Sequence, residues 1–356
     1  MRKHTCLILT LFLAACFAFA TAKAEDSTPQ MSVSYFPVLP YGAAPDAAPQ
    51  LLPVASNHPF EGEHAGLTKA VIVIHDTSRD ARATLAMISG LAGPENTTTM
   101  ILAPQFLEDA DLARFGGELP DNGKMFARWP LDGWQVGGDS VAQGQGKGIS
   151  SFTALDLLLL YLGEKKFFPD LTQVVIAGHG AGGDFVQRYA ALGQAPDILD
   201  QQHVNVRFIA ANPSSYLYFT AARAQGGKQG FTTPDAAQCP VYNSYPYGLD
   251  SMNAYGHRVG PDAVRLRYIT RNIYYLAGEN AAKGDLLADT GCAAMLEGAD
   301  RVNRTVNYDL YLTVAFGDAA HKLQKFRTVP KVGFQPAPVF ASACGMAALF
   351  GDGECM

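Results

Sequence analysis

Excess positive charge is missing from this chain. Of its 356 residues, 27 are Lys or Arg and 33 are Asp or Glu, a formal charge of −6. Without a basic run or stripe it has no electrostatic footprint for nucleic acid, so none is expected as a partner. Charge of either sign is sparse at 17%, while hydrophobic residues make up 48%, ample for one large core. No Cys-x-x-Cys or Cys/His spacing suggests a metal site, and neither metal nor cofactor is expected. No internal repeat is present. The one long apolar run lies at the N-terminus, and its fifteen residues, Cys6 to Ala20, fall short of a transmembrane span. The Leu157–Leu160 run is shorter still and reads as buried helix.

Arg2 and Lys3 precede that N-terminal run, and Ala22-Lys23-Ala24 follows it as a small-x-small cleavage pattern. Residues 1–24 therefore read as a signal peptide, and the protein as exported, periplasmic or secreted. Leu13-Ala14-Ala15-Cys16 also resembles a lipoprotein box, which would leave a lipid anchor on Cys16. Cleavage after Ala24 is preferred, because lipidation would leave apolar Phe17–Ala20 directly behind the anchor. Losing the leader removes three basic residues and no acid, taking the formal charge to −9. Cys239, Cys292, Cys344 and Cys355 remain. An even count in an exported chain implies two disulfides with three pairings to choose from. Nearness in sequence favours Cys344–Cys355, which leaves Cys239–Cys292.

Residues 25–68 are rich in Pro and Ala without sustained periodicity and read as an irregular lead-in across the domain surface. From Lys69 onward short apolar runs alternate with helical stretches, the pattern of a mostly parallel sheet with helices on both faces, over residues 69–356. Strands are expected at Ala70–His75, Thr99–Ala103, Gln173–Ala177, Val206–Ala211, Asn272–Leu276 and Leu323–Val329. Helices are expected at Ala81–Gly90, Ser151–Leu162, Gly183–Leu192, Gly291–Glu297 and Tyr308–Phe316. Residues 212–271 break the alternation. This aromatic stretch (Tyr216, Tyr218, Tyr242, Tyr245, Tyr247, Tyr255) reads either as a lid over the carboxyl edge of the sheet or as a disulfide-stapled surface excursion.

Val174-Val175-Ile176-Ala177-Gly178-His179-Gly180-Ala181-Gly182-Gly183 reads as a buried strand, a tight turn and a helix start. It resembles the nucleophile elbow G-x-S-x-G of the α/β-hydrolases, in which the central serine attacks the substrate carbonyl. Val71–Thr77 resembles the strand whose following loop gives an oxyanion-hole amide, with Asp76 in place of a glycine. Ile101–Phe106, Trp134–Ser140 and Asn212–Tyr216 fit the same comparison. Together they resemble a group of secreted or periplasmic hydrolase-like proteins, over nearly everything from residue 69 to the end. That resemblance implies the α/β-hydrolase fold, a lid-like insertion, and a pocket at Asp76, Thr77, His179 and Ala181.

It also implies a damaged triad. The group's elbow reads GHSAGG where this chain reads GHGAGG, so Gly180 replaces the serine. The base histidine ends a stretch like VPGVGH, and here Phe334 ends Val329-Pro330-Lys331-Val332-Gly333-Phe334. The acid aligns with Ala281, although Asp285 lies near enough to serve after a small loop shift. A carboxylate at position 76 would oppose the charge that an oxyanion pocket must stabilise. The expectation is a pseudo-hydrolase that keeps a binding role for a small molecule or a protein, with Tyr-rich walls and the amides of Thr77 and Ala181 free to hold a carbonyl or carboxylate. The alternatives are an ester or acyl hydrolase with a relocated constellation (Ser78, Ser140, Ser150 and Ser151 being the hydroxyls near the pocket) and a structural protein of the cell envelope. Gly178-His179-Gly180-Ala181-Gly182-Gly183 also satisfies G-x-G-x-x-G. A nucleotide is nonetheless disfavoured, because the next strand ends in Ala210-Ala211-Asn212 without the acid that binds ribose.

Overall fold

A computed structural model describes residues 31–44, 46–142, 147–224, 230–282 and 285–351. The leader at 1–24, Cys16 and Cys355 lie outside them, and with Cys355 the Cys344–Cys355 pairing.

One eight-stranded sheet organises the chain. Its strands are β1 (Ser32–Val38), β2 (Gln50–Ser56), β3 (Lys69–Ile74), β4 (Thr99–Pro104), β5 (Gln173–His179), β6 (Asn205–Ala211), β7 (Asn272–Gly278) and β8 (Gln324–Val329). They lie in the order β1-β2-β4-β3-β5-β6-β7-β8. All neighbours are parallel except β1–β2 and β2–β4. The central strands are buried on both faces, as parallel strands under two helical layers must be. Ala70, Ile72 and Ile74 join one apolar cluster while Val71 and Val73 join the other, the two-residue period of a strand. The first face carries α2 (Ser151–Gly163), α3 (Ala181–Leu192), α4 (Pro261–Tyr268) and α5 (Arg301–Phe316). The second carries α1 (Ala81–Ala92) and two short C-terminal helices at Pro336–Phe340 and Ala343–Leu349.

The described part of residues 25–68 is not an irregular lead-in, which corrects the sequence reading. It supplies β1 and β2, and buries Val38, Leu52 and Val54. Prolines hid these strands. The carbonyl of Pro53 accepts from Gln105 N–H at 2.8 Å, and no ladder partner needs the N–H that proline lacks. Pro37 pairs with Leu51, whose own N–H and C=O turn away to Met125 and Ala127. The long helix near the end begins at Arg301 rather than Tyr308, capped by the Asp300 side chain on Asn303 N–H. That near Gly291–Glu297 shrinks to Cys292–Met295.

Residues 212–271 hold α4 and a short helix at Ala254–Val259. The Cys239–Cys292 disulfide staples the segment to the chain after β7. No helix among the described residues is long and apolar enough to cross a membrane.

Candidate functional site

The carboxyl ends of β3, β5 and β6 converge where α3 begins, and glycine permits the approach. A Cβ on Gly182 would stand 2.4 Å from the Ile74 carbonyl oxygen, and one on Gly183 would stand 2.6 Å from that of Ala211. These two glycines serve helix–sheet contact. Gly180 sits at the turn itself with φ 58° and ψ −120°, a left-handed conformation that strains any residue with a side chain.

Asp76 occupies the space above that turn. A Cβ on Gly180 would lie 2.4 Å from Asp76 Oδ2, so the carboxylate fills the place a serine side chain would need. Its Oδ1 accepts from Thr77 N–H at 2.7 Å and from Ala181 N–H at 3.0 Å. Those are the two amides expected to hold a ligand's carbonyl or carboxylate, and the expectation is corrected: the protein's own anion already holds them, at the N-terminus of α3 where an anion is favoured. Oδ2 accepts from His179 Nδ1 at 3.3 Å. Burial pushes the Asp76 carboxyl up, but the His179, Ala181 and Thr77 hydrogen bonds outweigh it and hold it below the usual aspartate value.

Neither histidine at the turn is available as a base. His75 is fully buried and pushed down to about 4 by desolvation. Its Nδ1 donates to the Asp76 carbonyl at 3.0 Å, and its Nε2 accepts from Phe106 N–H at 3.0 Å. His179 Nε2 accepts from Asn212 Nδ2 at 3.1 Å, and the Asn212 amide is oriented by Gly278 N–H on its Oδ1 at 2.9 Å. The His179 proton is thereby placed on Nδ1, toward Asp76.

Phe334 reaches the site without bringing a titratable group. Its ring centroid lies 4.6 Å from that of His179, and the Arg301 guanidinium lies 4.5 Å over its other neighbourhood. Arg301 also pairs with Asp285 through Nε, so a guanidinium stands between the surviving acid and the base position. Asp285 is therefore committed to an ion pair rather than poised as a triad acid. Ala281 is fully buried in the turn after β7.

The other hydroxyls are spent on structure. Ser140 Oγ donates to Gln50, Ser150 Oγ to the Gly137 carbonyl and Ser151 Oγ to the Trp134 carbonyl, at 3.0, 2.8 and 2.7 Å. All three are buried. Ser78 is exposed and bonds to no histidine among the described residues.

Beside this turn opens a cavity of about 380 Å³. Residues 212–271 give it Ser214, Ser215, Pro246 and Tyr247. The walls are not Tyr-rich, however: Tyr216, Tyr218 and Tyr255 are buried in the core instead. Sequence reasoning missed Asp184 and Arg188, which line the cavity from α3. They ion-pair at 3.5 Å in an i, i+4 relation, on a helix with every residue buried. Charged residues one turn apart in a buried helix were the available signal. Burial raises the Asp184 carboxyl above the ordinary aspartate value against the pull of Arg188 and Arg301 and the amides of Ser215 and Ser214.

No protein-family model matches the chain, and no curated protein sequence does. Solved structures do. LpqC, a poly(3-hydroxybutyrate) depolymerase from Bordetella parapertussis, is 18% identical with a TM-score of 0.58, over 91% of this chain and 92% of its own. Poly(aspartic acid) hydrolase-1 from Sphingomonas sp. KT-1 is 20% identical with a TM-score of 0.54, over 86% of this chain and 95% of its own. Sheet, helical layers and these neighbours together give the chain the α/β-hydrolase fold.

Proposed function

We propose that this is an exported, non-catalytic protein of the α/β-hydrolase fold, whose cavity serves to bind a small molecule. One observation carries the reading: the carboxylate of Asp76 sits on the amides of Thr77 and Ala181 and in the space a serine at position 180 would occupy. An oxyanion forming there would meet a fixed negative charge and no free donor. Gly180 and Phe334 at the nucleophile and base positions point the same way. In a well-studied triad enzyme, losing the serine alone costs on the order of 10⁶ in turnover. Export rests on the leader and is supported by the Cys239–Cys292 disulfide.

A working hydrolase is the second reading. What favours it is the fold shared with a polyester depolymerase and a poly(aspartic acid) hydrolase. Against it stand the hydrogen-bond commitments of the serines and histidines around the turn.

A fluorophosphonate probe, which reacts covalently with activated serines, separates the two. The wild type is expected to stay unlabelled, while an Asp76→Gly/Gly180→Ser/Ala281→Asp/Phe334→His variant takes up the probe at position 180. Asp76 must change along with the triad, because its carboxylate otherwise collides with the new side chain. Labelling of the wild type at any serine would overturn the proposal.

A further inference from the structure

We infer that the cavity at the strand ends takes an organic cation, an ammonium or amidinium group carried on a small apolar body. This rests on the binding role proposed above and names its ligand class. Asp76, Asp132, Asp184 and Asp289 line the cavity against two cations, Arg188 and Arg301.

Those two arginines spend most of their N–H groups on the protein's own acceptors. Arg188 is 1% exposed and donates to the carbonyls of Asp184, Ser215 and Pro246 and to Ser215 Oγ. Arg301 is 2% exposed and donates to Asp285 and to the carbonyls of Asn212 and Leu287. With the Thr77 and Ala181 amides also taken, a carboxylate or phosphate entering here meets only the few guanidinium N–H groups left over from these bonds, against four carboxylates.

Asp184 shows this most clearly. It is 7% exposed and lines the cavity. Its Oδ1 takes the amides of Ser214 and Ser215 at 2.7 and 3.2 Å and also faces Arg188. Among the described residues nothing donates to its Oδ2. That oxygen is not sealed from solvent, so it stands as an acceptor open to a donor entering the cavity. Asp289, held by Tyr247 Oη at 2.6 Å, and Asp132, at the rim, add field of the same sign.

The rest of the lining sets the body of the ligand. Val136, Pro246, Tyr247 and Leu287 supply apolar surface, and a Tyr247 ring beside carboxylates suits a delocalised cation. The volume of about 380 Å³ is that of a small-molecule site. Among the described residues no three Asp, Glu, His or Cys side chains lie close enough to hold a metal ion, which turns the choice to a polyatomic cation.

The test is isothermal titration of the mature protein with benzamidine and agmatine as cationic probes and butyrate as the anionic control, at low and high salt. At least one cationic probe is expected to bind more weakly at high salt, and butyrate not to bind. Asp184→Asn, which keeps an acceptor for the Ser214 and Ser215 amides, is expected to weaken binding roughly tenfold or more, the equivalent of about 1.4 kcal/mol. The rim variant Asp132→Asn, safe for folding, is expected to weaken it about threefold. Absence of binding by both probes, preference for butyrate, or cation binding unchanged in both variants would each overturn the inference. Ester turnover by the wild type would instead overturn the non-catalytic reading, so the two failures are distinguishable.

Discussion

Asp76 and Gly180 explain one another. With the carboxylate 2.4 Å from where a Cβ at 180 would begin, only glycine fits while Asp76 stays on the two amides, and only a glycine elbow leaves room for it. Each residue stands out in the sequence by itself, while the contact between them is made only by the fold. Asp76 was legible as a charge out of place; that it folds back onto Thr77 and Ala181 depends on side-chain rotation, which no motif encodes. The pairing has a measurable consequence. Because its folded-state pKa lies below the ordinary aspartate value, Asp76 contributes stability that is complete above about pH 4 and is lost as pH falls through the folded-state value. Asp76→Asn is therefore expected to cost about 1–2 kcal/mol at pH 7, with the gap to wild type narrowing below about pH 4. Urea unfolding across that range measures it, and a gap independent of pH would contradict the hydrogen-bonded carboxylate.

Among the elements, the strongly patterned ones were legible and the compromised ones were not. The central strands from β3 to β7 are strongly apolar, interrupted only by Arg207 in β6, and their positions follow from the sequence to within a residue or two. β1 and β2 carry prolines whose missing N–H groups fall where no ladder bond is needed, an accommodation invisible without the register. The α5 helix extends N-terminally of Tyr308 because Asp300 caps it and because Arg301 and Arg304, which look like surface residues, turn inward to bond the carbonyls of Asn212 and Ser214. The inserted segment is anchored through buried tyrosines and through Cys239–Cys292, which closes a loop with a sequence separation of 53. A Cys239→Ser/Cys292→Ser variant is expected to lose about 2–4 kcal/mol, read as a fall of several degrees in melting temperature. An unchanged melting temperature would mean that core packing alone holds the segment.

Across the whole molecule, the chain has the α/β-hydrolase fold with a carboxylate set into the turn at the centre of its sheet edge. The doubly wound sheet brings the Gly180 turn, Phe334 and the chain after β7 to one edge, with a cavity beside them. Four carboxylates line that cavity, and its two arginines are held largely by the protein's own carbonyls. The fold was readable from local motifs, whereas the character of the cavity arises from residues distant in sequence, Asp76, Asp184, Asp289 and Arg301, brought together only by the fold. The most direct measurement is turnover of p-nitrophenyl esters of graded acyl length by the purified wild type against its heat-inactivated control. The account predicts no difference between them. Turnover above the control that disappears in Asp76→Asn would contradict it and would make Asp76 part of a working active site.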